Sequence, residues 1–243
     1  MTDEPAQLVF DLAQRSALDA EDFLVSASNA AAVGIVDGWP AWTHWAAVVS
    51  GPAGAGKSHL VNVWRSKSNA ACVMASDVGE ATLHGFGTAA ADTQALAIEN
   101  LEAGIGNERV LFHLLNLARE HKLSILLTSR VPPGELDVSL PDLRSRLRAL
   151  PHVAIEPPDE TLLGAILVKL FGDRQLAVEP HVVAHLQRHM ERSTEVATGV
   201  VNEIDHLALA THRKVTRALA AEALARVLAR TGASSDVESK SDD

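Results

Sequence analysis

The sequence predicts an α/β domain with a parallel five-stranded sheet, followed by an all-helical C-terminal subdomain. Three observations carry that prediction. Gly51-Pro52-Ala53-Gly54-Ala55-Gly56-Lys57-Ser58 matches G-x-x-x-x-G-K-[ST] and sits between a strand-type run, Ala46–Ser50, and a segment with Leu60, Val61 and Trp64 at helical spacing. Short apolar runs then alternate with helical patterns as far as residue 156, which is the signature of a parallel sheet covered on both faces. After Pro157-Pro158 only helical patterns follow. Between a strand and a helix, glycines let backbone N–H groups turn inward around phosphate oxygens. Lys57 then reaches the β- and γ-oxygens, and Ser58 offers its hydroxyl to Mg²⁺. Gly51 through Ser58, with His59 next in line, therefore read as a nucleotide phosphate site.

The elements follow in order. Residues 1–18 read as an N-terminal arm, and helical character begins at Asp19 or Asp22, with Ala27–Ala32 inside the helix. Gly38-Trp39-Pro40 breaks the chain before the first strand. A second strand is expected at Ala71–Ala75 and a third at Ala95–Ile98. Between them, residues 79–93 read either as a short helix with loops or as a poorly specified connection. Val110, Leu111, Leu114, Leu115, Leu117 and Ala118 give the helix Glu108–Glu120 one wide apolar face. Leu123–Leu127 and His152–Ile155 supply the last two strands. The α/β domain is thus placed at 19–156. The helical lid, at 157–230, comprises Asp159–Phe171, Pro180–Arg192, Thr194–Ala210 and Val215–Leu228. Residues 231–243 are polar, acidic and poor in apolar side chains, so disorder is expected there.

Composition narrows the function. A formal charge of −10 over 243 residues argues against a chain that grips nucleic acid unaided, because that affinity comes from Lys and Arg on phosphates. The single cysteine, Cys72, makes neither an internal disulfide nor a thiol zinc site, and within Cys72-Val73-Met74 it reads as a core residue. With no signal peptide and no apolar run of spanning length, a cytoplasmic protein is expected and no membrane partner.

A phosphate-loop enzyme needs an acid at the end of a neighbouring strand for Mg²⁺, and a second acid to orient the attacking water. Glu99 stands in the first place and Asn100 in the second. Glu99 is one methylene longer than Asp, and an amide cannot act as a base, so weak intrinsic hydrolysis is expected. The other reading is that Glu99-Asn100 merely caps a strand. Thr128, at the end of the fourth strand, is placed to touch the γ-phosphate or the attacking water. Arg144, Arg146 and Arg148 read either as a solvated helix end or as the source of a finger that stabilises charge in a neighbour's nucleotide site. His181, His185 and His189 share one helix face but lack further metal ligands, so a solvated or partly buried face is the reading. Trp39, Trp42, Trp45 and Trp64 read as packing between the segment before the first strand and the phosphate-loop helix. In the arm, Gln7, Leu8, Phe10 and Leu12 form an extended pattern that docks in a partner's groove or on its own domain.

Taken together, these motifs resemble the AAA+ family of bacterial replication initiators and, within it, the Hda (HdaA) proteins, DnaA-related inactivators. The likeness covers about residues 5–229 and rests on several segments. These are the arm Gln7–Leu12, Glu21–Val25 with Ser28–Ala30, the phosphate loop, Ile98–Glu102, Leu127–Arg130, Leu140–Leu147 and the four-helix lid. The resemblance implies an AAA+ core with ADP or ATP and Mg²⁺ as cofactors, Ser58 and Glu99 as metal ligands, and Arg146 as the arginine finger. Thr128 falls at sensor 1, and Gln7, Leu8, Phe10 and Leu12 match a clamp-docking hexapeptide. It also implies a role: with the sliding clamp of DNA polymerase III, promoting hydrolysis of DnaA-bound ATP and so restraining initiation of replication. DNA is then reached only through those partners, and a homodimer is a further expectation. Three substitutions depart from the family pattern: Glu99 for Asp, Glu195 at the sensor 2 arginine, and no acid before Arg130. The chain ends in an acidic tail where an initiator continues into a helix-turn-helix domain, which favours the Hda reading. The alternative is an autonomous AAA+ ATPase of helicase-loader type.

Overall fold

A computed structural model describes residues 24–86, 94–211 and 214–238. The chain divides into two compact units at Pro157–Pro158. The first holds five strands, β1 (Ala46–Ser50), β2 (Ala71–Met74), β3 (Ala95–Glu99), β4 (Ser124–Ser129) and β5 (His152–Ala154), in the order β2-β3-β4-β1-β5. All pairings are parallel, with Val49 opposite Thr128, Ser50 opposite Ser129 and Ile98 opposite Leu127. The helices of this unit are α1 (Ala30–Gly38), α2 (Lys57–Ser68), α3 (Glu80–Gly85), α4 (Glu108–His121) and α5 (Pro141–Arg148).

Side-chain alternation sorts the sheet into two faces. Val48, Leu96, Ile98, Ile125 and Leu127 join Leu111, Leu114 and Leu115 of α4 and Leu143 and Leu147 of α5 in one core. On the other face, small residues at Ala47, Ala95 and Ala97 leave room for α2, whose Leu60, Val61 and Trp64 are buried there. Trp64 is fully buried, with Trp42 stacked on it at 5.5 Å and Trp39 edge-on at 6.3 Å. The packing role expected of these three tryptophans is what the structure shows. Trp45 instead packs against the α4 core, with the Arg119 guanidinium 5.9 Å from its ring centroid.

Boundaries differ from expectation in several places. Residues 27–29 form a turn rather than helix, because polar side chains bind the backbone there. Asn29 donates to the Leu24 carbonyl at 2.9 Å, and its side-chain oxygen accepts the Ser26 N–H. The helix starts only at Ala30 and ends at Gly38, where a break was expected. β4 runs two residues further than expected, through Thr128 and Ser129, because its partner β1 offers ladder positions as far as Ser50. The short-helix reading of residues 79–93 holds for α3, while 87–93 lie outside the described residues.

Among the described residues, the regular elements of the second unit are all helices: α6 (Glu160–Asp173), α7 (Pro180–His189), α8 (Thr194–Thr211) and α9 (Arg217–Glu238). Asp159 caps α6 by accepting the Leu162 N–H at 2.7 Å. Phe171, Val182, Leu186, Val200, Ile204 and Ala223 lie in its core. Among the described residues, no helix is long and apolar enough to cross a membrane. α9 runs as far as Glu238, and residues 239–243, the rest of the segment expected to be disordered, lie outside the described residues. Inside this unit Glu203 is buried and accepts hydrogen bonds from Arg226 at 3.1 Å and Arg230 at 2.7 Å. Burial pushes its carboxyl up, but the two guanidinium hydrogen bonds and charges outweigh that, and the net shift is downward.

Two tests follow from this packing. Gly51, the residue after β1, runs so close to the chain just past β5 that a Cβ there would lie 2.5 Å from the Ile155 carbonyl oxygen. Gly51→Ala should therefore force the strands apart and cost on the order of 1–3 kcal/mol, read as a lower denaturation midpoint; an unchanged midpoint contradicts the close approach. For Glu203, the lowered folded pKa means its stabilisation is complete above the ordinary value of 4.5 and is lost as pH falls through the folded value. Glu203→Gln should lower the melting temperature at pH 7, with the gap to the parent closing below about pH 4. A gap that persists in acid contradicts the ion-pair account.

Candidate phosphate site at the sheet edge

The C-terminal ends of the parallel strands meet on one edge of the sheet. β1 delivers Ser50 and the loop Gly51–Ser58, with Gly54 at φ 67° and Gly56 at φ 96°. Gly56 occupies the left-handed region just before α2, which lets the loop fold over the helix N-terminus. Lys57, only 8% exposed, donates to the carbonyls of Gly51 at 2.5 Å and Pro52 at 2.8 Å, so its ammonium spans the inside of the loop. Ser58 and His59 are exposed at the first turn of the helix. Pro52 and Ala53 are exposed on the loop, and Ala55 is buried beneath it.

From β3, Glu99 comes to the same place. Its Oε2 accepts the Ser58 hydroxyl at 2.5 Å. The two residues predicted as metal ligands are thus brought together across 41 positions of sequence. Two hard oxygens facing each other beside a phosphate loop are a donor set that suits Mg²⁺, which takes few protein ligands and leaves the rest to water and phosphate. No cluster of three or more His, Cys, Asp or Glu able to hold a metal occurs among the described residues. On α7, His181 and His189 are exposed and His185 is half-buried; His189 bonds the His185 carbonyl at 2.8 Å, and His181 pairs with Glu179.

Glu99 has a neighbour the sequence did not reveal. Cys72, on β2, is half-buried, and its thiol donates to Glu99 Oε1 at 3.4 Å. Burial, with the carboxylate beside it, pushes the thiol pKa up to about 11. Cys72 is therefore not simply a core residue. Pairing brings it there, because Cys72 lies opposite Ala97 and shares a sheet face with Glu99 two residues on.

Thr128, next to last in β4, is fully buried, and its Oγ1 accepts the Asn100 N–H at 3.2 Å. Asn100 adopts a left-handed conformation, φ 62°, which turns the chain sharply after Glu99. Nearby, Arg130 is held by Glu102 through its N–H at 2.9 Å and its guanidinium at 3.3 Å. The ends of β3 and β4 are thus stitched together, and the Arg130–Glu102 pair went unforeseen.

The three arginines of α5 divide. Arg144 donates twice to the Val138 carbonyl, and Arg148 donates to that of Gly134 at 3.0 Å. The Arg146 side chain has no hydrogen-bond or ion-pair partner among the described residues; its guanidinium lies 5.3 Å from the Phe112 ring centroid. Glu108 anchors the start of α5 by accepting the N–H groups of Ser139 at 2.8 Å and Leu140 at 2.6 Å. Glu195 and Arg192 are exposed in the helical unit. Gln7, Leu8, Phe10 and Leu12 lie outside the described residues.

No protein-family model matches the chain. Among curated proteins it is 30% identical over 132 residues to the chromosomal replication initiator protein DnaA of Thermomicrobium roseum, a match covering 53% of this chain and 28% of that one. The chain thus spans little more than a quarter of that relative. Among solved structures, domain III of the Thermotoga maritima replication initiation protein DnaA aligns with a TM-score of 0.72 at 19% identity, over 85% of this chain and 95% of that one. AMPPCP-bound DnaA from Aquifex aeolicus aligns with a TM-score of 0.61 at 19% identity, covering 77% and 63%. The FIGL-1 AAA domain in complex with ADP gives 0.57 at 16% identity, covering 75% and 71%. With the strand order, these likenesses show that the chain has the fold of AAA+ domains, shared with domain III of that DnaA, and the curated match shows a sequence similarity to DnaA over 132 residues.

Proposed function

We propose that this protein is a nucleotide-binding AAA+ regulator that, together with the sliding clamp, promotes hydrolysis of ATP held by DnaA and so restrains initiation of replication. ADP or ATP binds at Gly51–His59, with Lys57 and the amides of the loop on the phosphates. Ser58 and Glu99 would hold Mg²⁺, whose part is to neutralise charge on the phosphate oxygens. The nucleotides bound by the DnaA and FIGL-1 structures support this assignment.

One contrast carries the regulatory reading. The chain's own site presents Asn100 where a proton acceptor is needed, while α5 offers an arginine whose side chain is free of hydrogen-bond partners among the described residues. A side chain resting on an aromatic face, with both neighbouring arginines committed to backbone carbonyls, is set out for a partner. Arg146 enters the ATP site of DnaA and stabilises charge developing on the transferred phosphoryl group. The arm residues Gln7, Leu8, Phe10 and Leu12 hold the protein on the clamp, where DnaA is met.

The test is hydrolysis of DnaA-bound ATP with and without this protein and DNA-loaded clamp. Stimulation should need both, and Arg146→Ala should remove most of a rate gain on the order of 10³–10⁵ while clamp binding survives. Gln7→Ala should weaken clamp capture with nucleotide affinity unchanged. Equal stimulation by Arg146→Ala refutes the finger. Brisk turnover by the purified protein alone, without DnaA, favours the autonomous ATPase instead.

A further inference from the structure

Glu99 raises a geometric problem. Compared with an aspartate, its carboxylate has one more rotatable bond, and a hard cation tolerates little wandering of its ligands. One carboxylate oxygen is fixed by the Ser58 hydroxyl. The other meets the Cys72 thiol at 3.4 Å, from the neighbouring strand. Cys72 is held by the ladder: Ala71, Cys72, Val73 and Met74 pair in unbroken register with Leu96, Ala97, Ile98 and Glu99. The donor thus approaches from rigid backbone and grips the oxygen turned away from Ser58.

From this geometry we propose that Cys72 is a positioning residue for the cation site, its S–H holding the Glu99 carboxylate toward Ser58 so that the longer side chain serves where a shorter one needs no such support. This rests on the reading of Ser58 and Glu99 as the Mg²⁺ ligands. Hydrogen bonds to a ligating carboxylate orient it, and their loss typically weakens the metal site by 10- to 100-fold. A thiol is a weak donor, so the low end of that range applies.

The experiment is calorimetric titration of the full chain with ADP, once with Mg²⁺ and once with EDTA. The affinity gained with Mg²⁺ is the quantity read. Cys72→Ala and the bulkier Cys72→Val should shrink that gain by about tenfold while leaving the EDTA affinity unchanged. Cys72→Ser, which keeps a donor, should retain most of it. In a Glu99→Asp background, Cys72→Ala should make no difference, because the shorter carboxylate lies beyond the thiol's reach. A wild-type gain that all Cys72 variants preserve overturns the inference and leaves the cation site standing. Equal losses with and without Mg²⁺, or a Cys72→Ala effect that persists in the Glu99→Asp background, mark Cys72 as packing and overturn it too. A wild-type protein that binds ADP with no gain from Mg²⁺ refutes the cation site itself, and this role with it.

Discussion

Parallel pairing aligns the ends of β1, β3 and β4, and each strand brings polar groups to that edge. β1 brings the loop with Lys57 and Ser58, β3 brings Glu99, and β4 brings Thr128 and Ser129. Because side chains alternate with a period of two, a one-residue slip of β3 would send Glu99 to the face occupied by Ile98. That slip is opposed by the cores on both faces, where Ile98 and Leu127 pack against α4 while Ala97 makes room for α2. Hydrophobic sorting of a few alanines and leucines therefore sets where the charged groups stand. The tight seam between Gly51 and Ile155 then fixes the loop's starting point.

Within that frame the site is built from hydrogen bonds between segments distant in sequence. Ser58 meets Glu99, Cys72 meets Glu99, Asn100 meets Thr128, and Glu102 meets Arg130. These contacts are the basis for the phosphate and cation site proposed above, in which Asn100 stands as an amide where hydrolysis calls for a carboxylate. A separate set of contacts, Glu108 to the start of α5 and Arg144 and Arg148 to the preceding loop, fixes the helix that carries Arg146.

Much of the fold was legible from local pattern. The strand–loop–helix around Gly51–Ser58, the apolar face of α4 and the change of character at Pro157-Pro158 are all short-range signals. Strand ends were less legible, because β4 reaches Ser129 through pairing with β1 rather than through its own apolar run. The turn at Ser26–Asn29 was missed because alanines on its C-terminal side suggest helix, while the polar side chains prefer the backbone. The contacts of Cys72 and of Phe112 depend on which strand lies beside which and which helix crosses which. No periodicity in one sequence reveals that. Arg146 could be singled out as a candidate among three arginines only by likeness, and the isolation of its side chain from hydrogen-bond partners is a matter of tertiary packing.

All of this presumes that the loop accepts a nucleoside polyphosphate. The most direct measurement is binding of ADP and ATP to the purified chain in the presence of Mg²⁺, followed by heat of titration and by melting temperature. The account predicts saturable heat and a higher melting temperature for the wild type, both lost in Lys57→Ala. No heat and no thermal shift with millimolar nucleotide would contradict it.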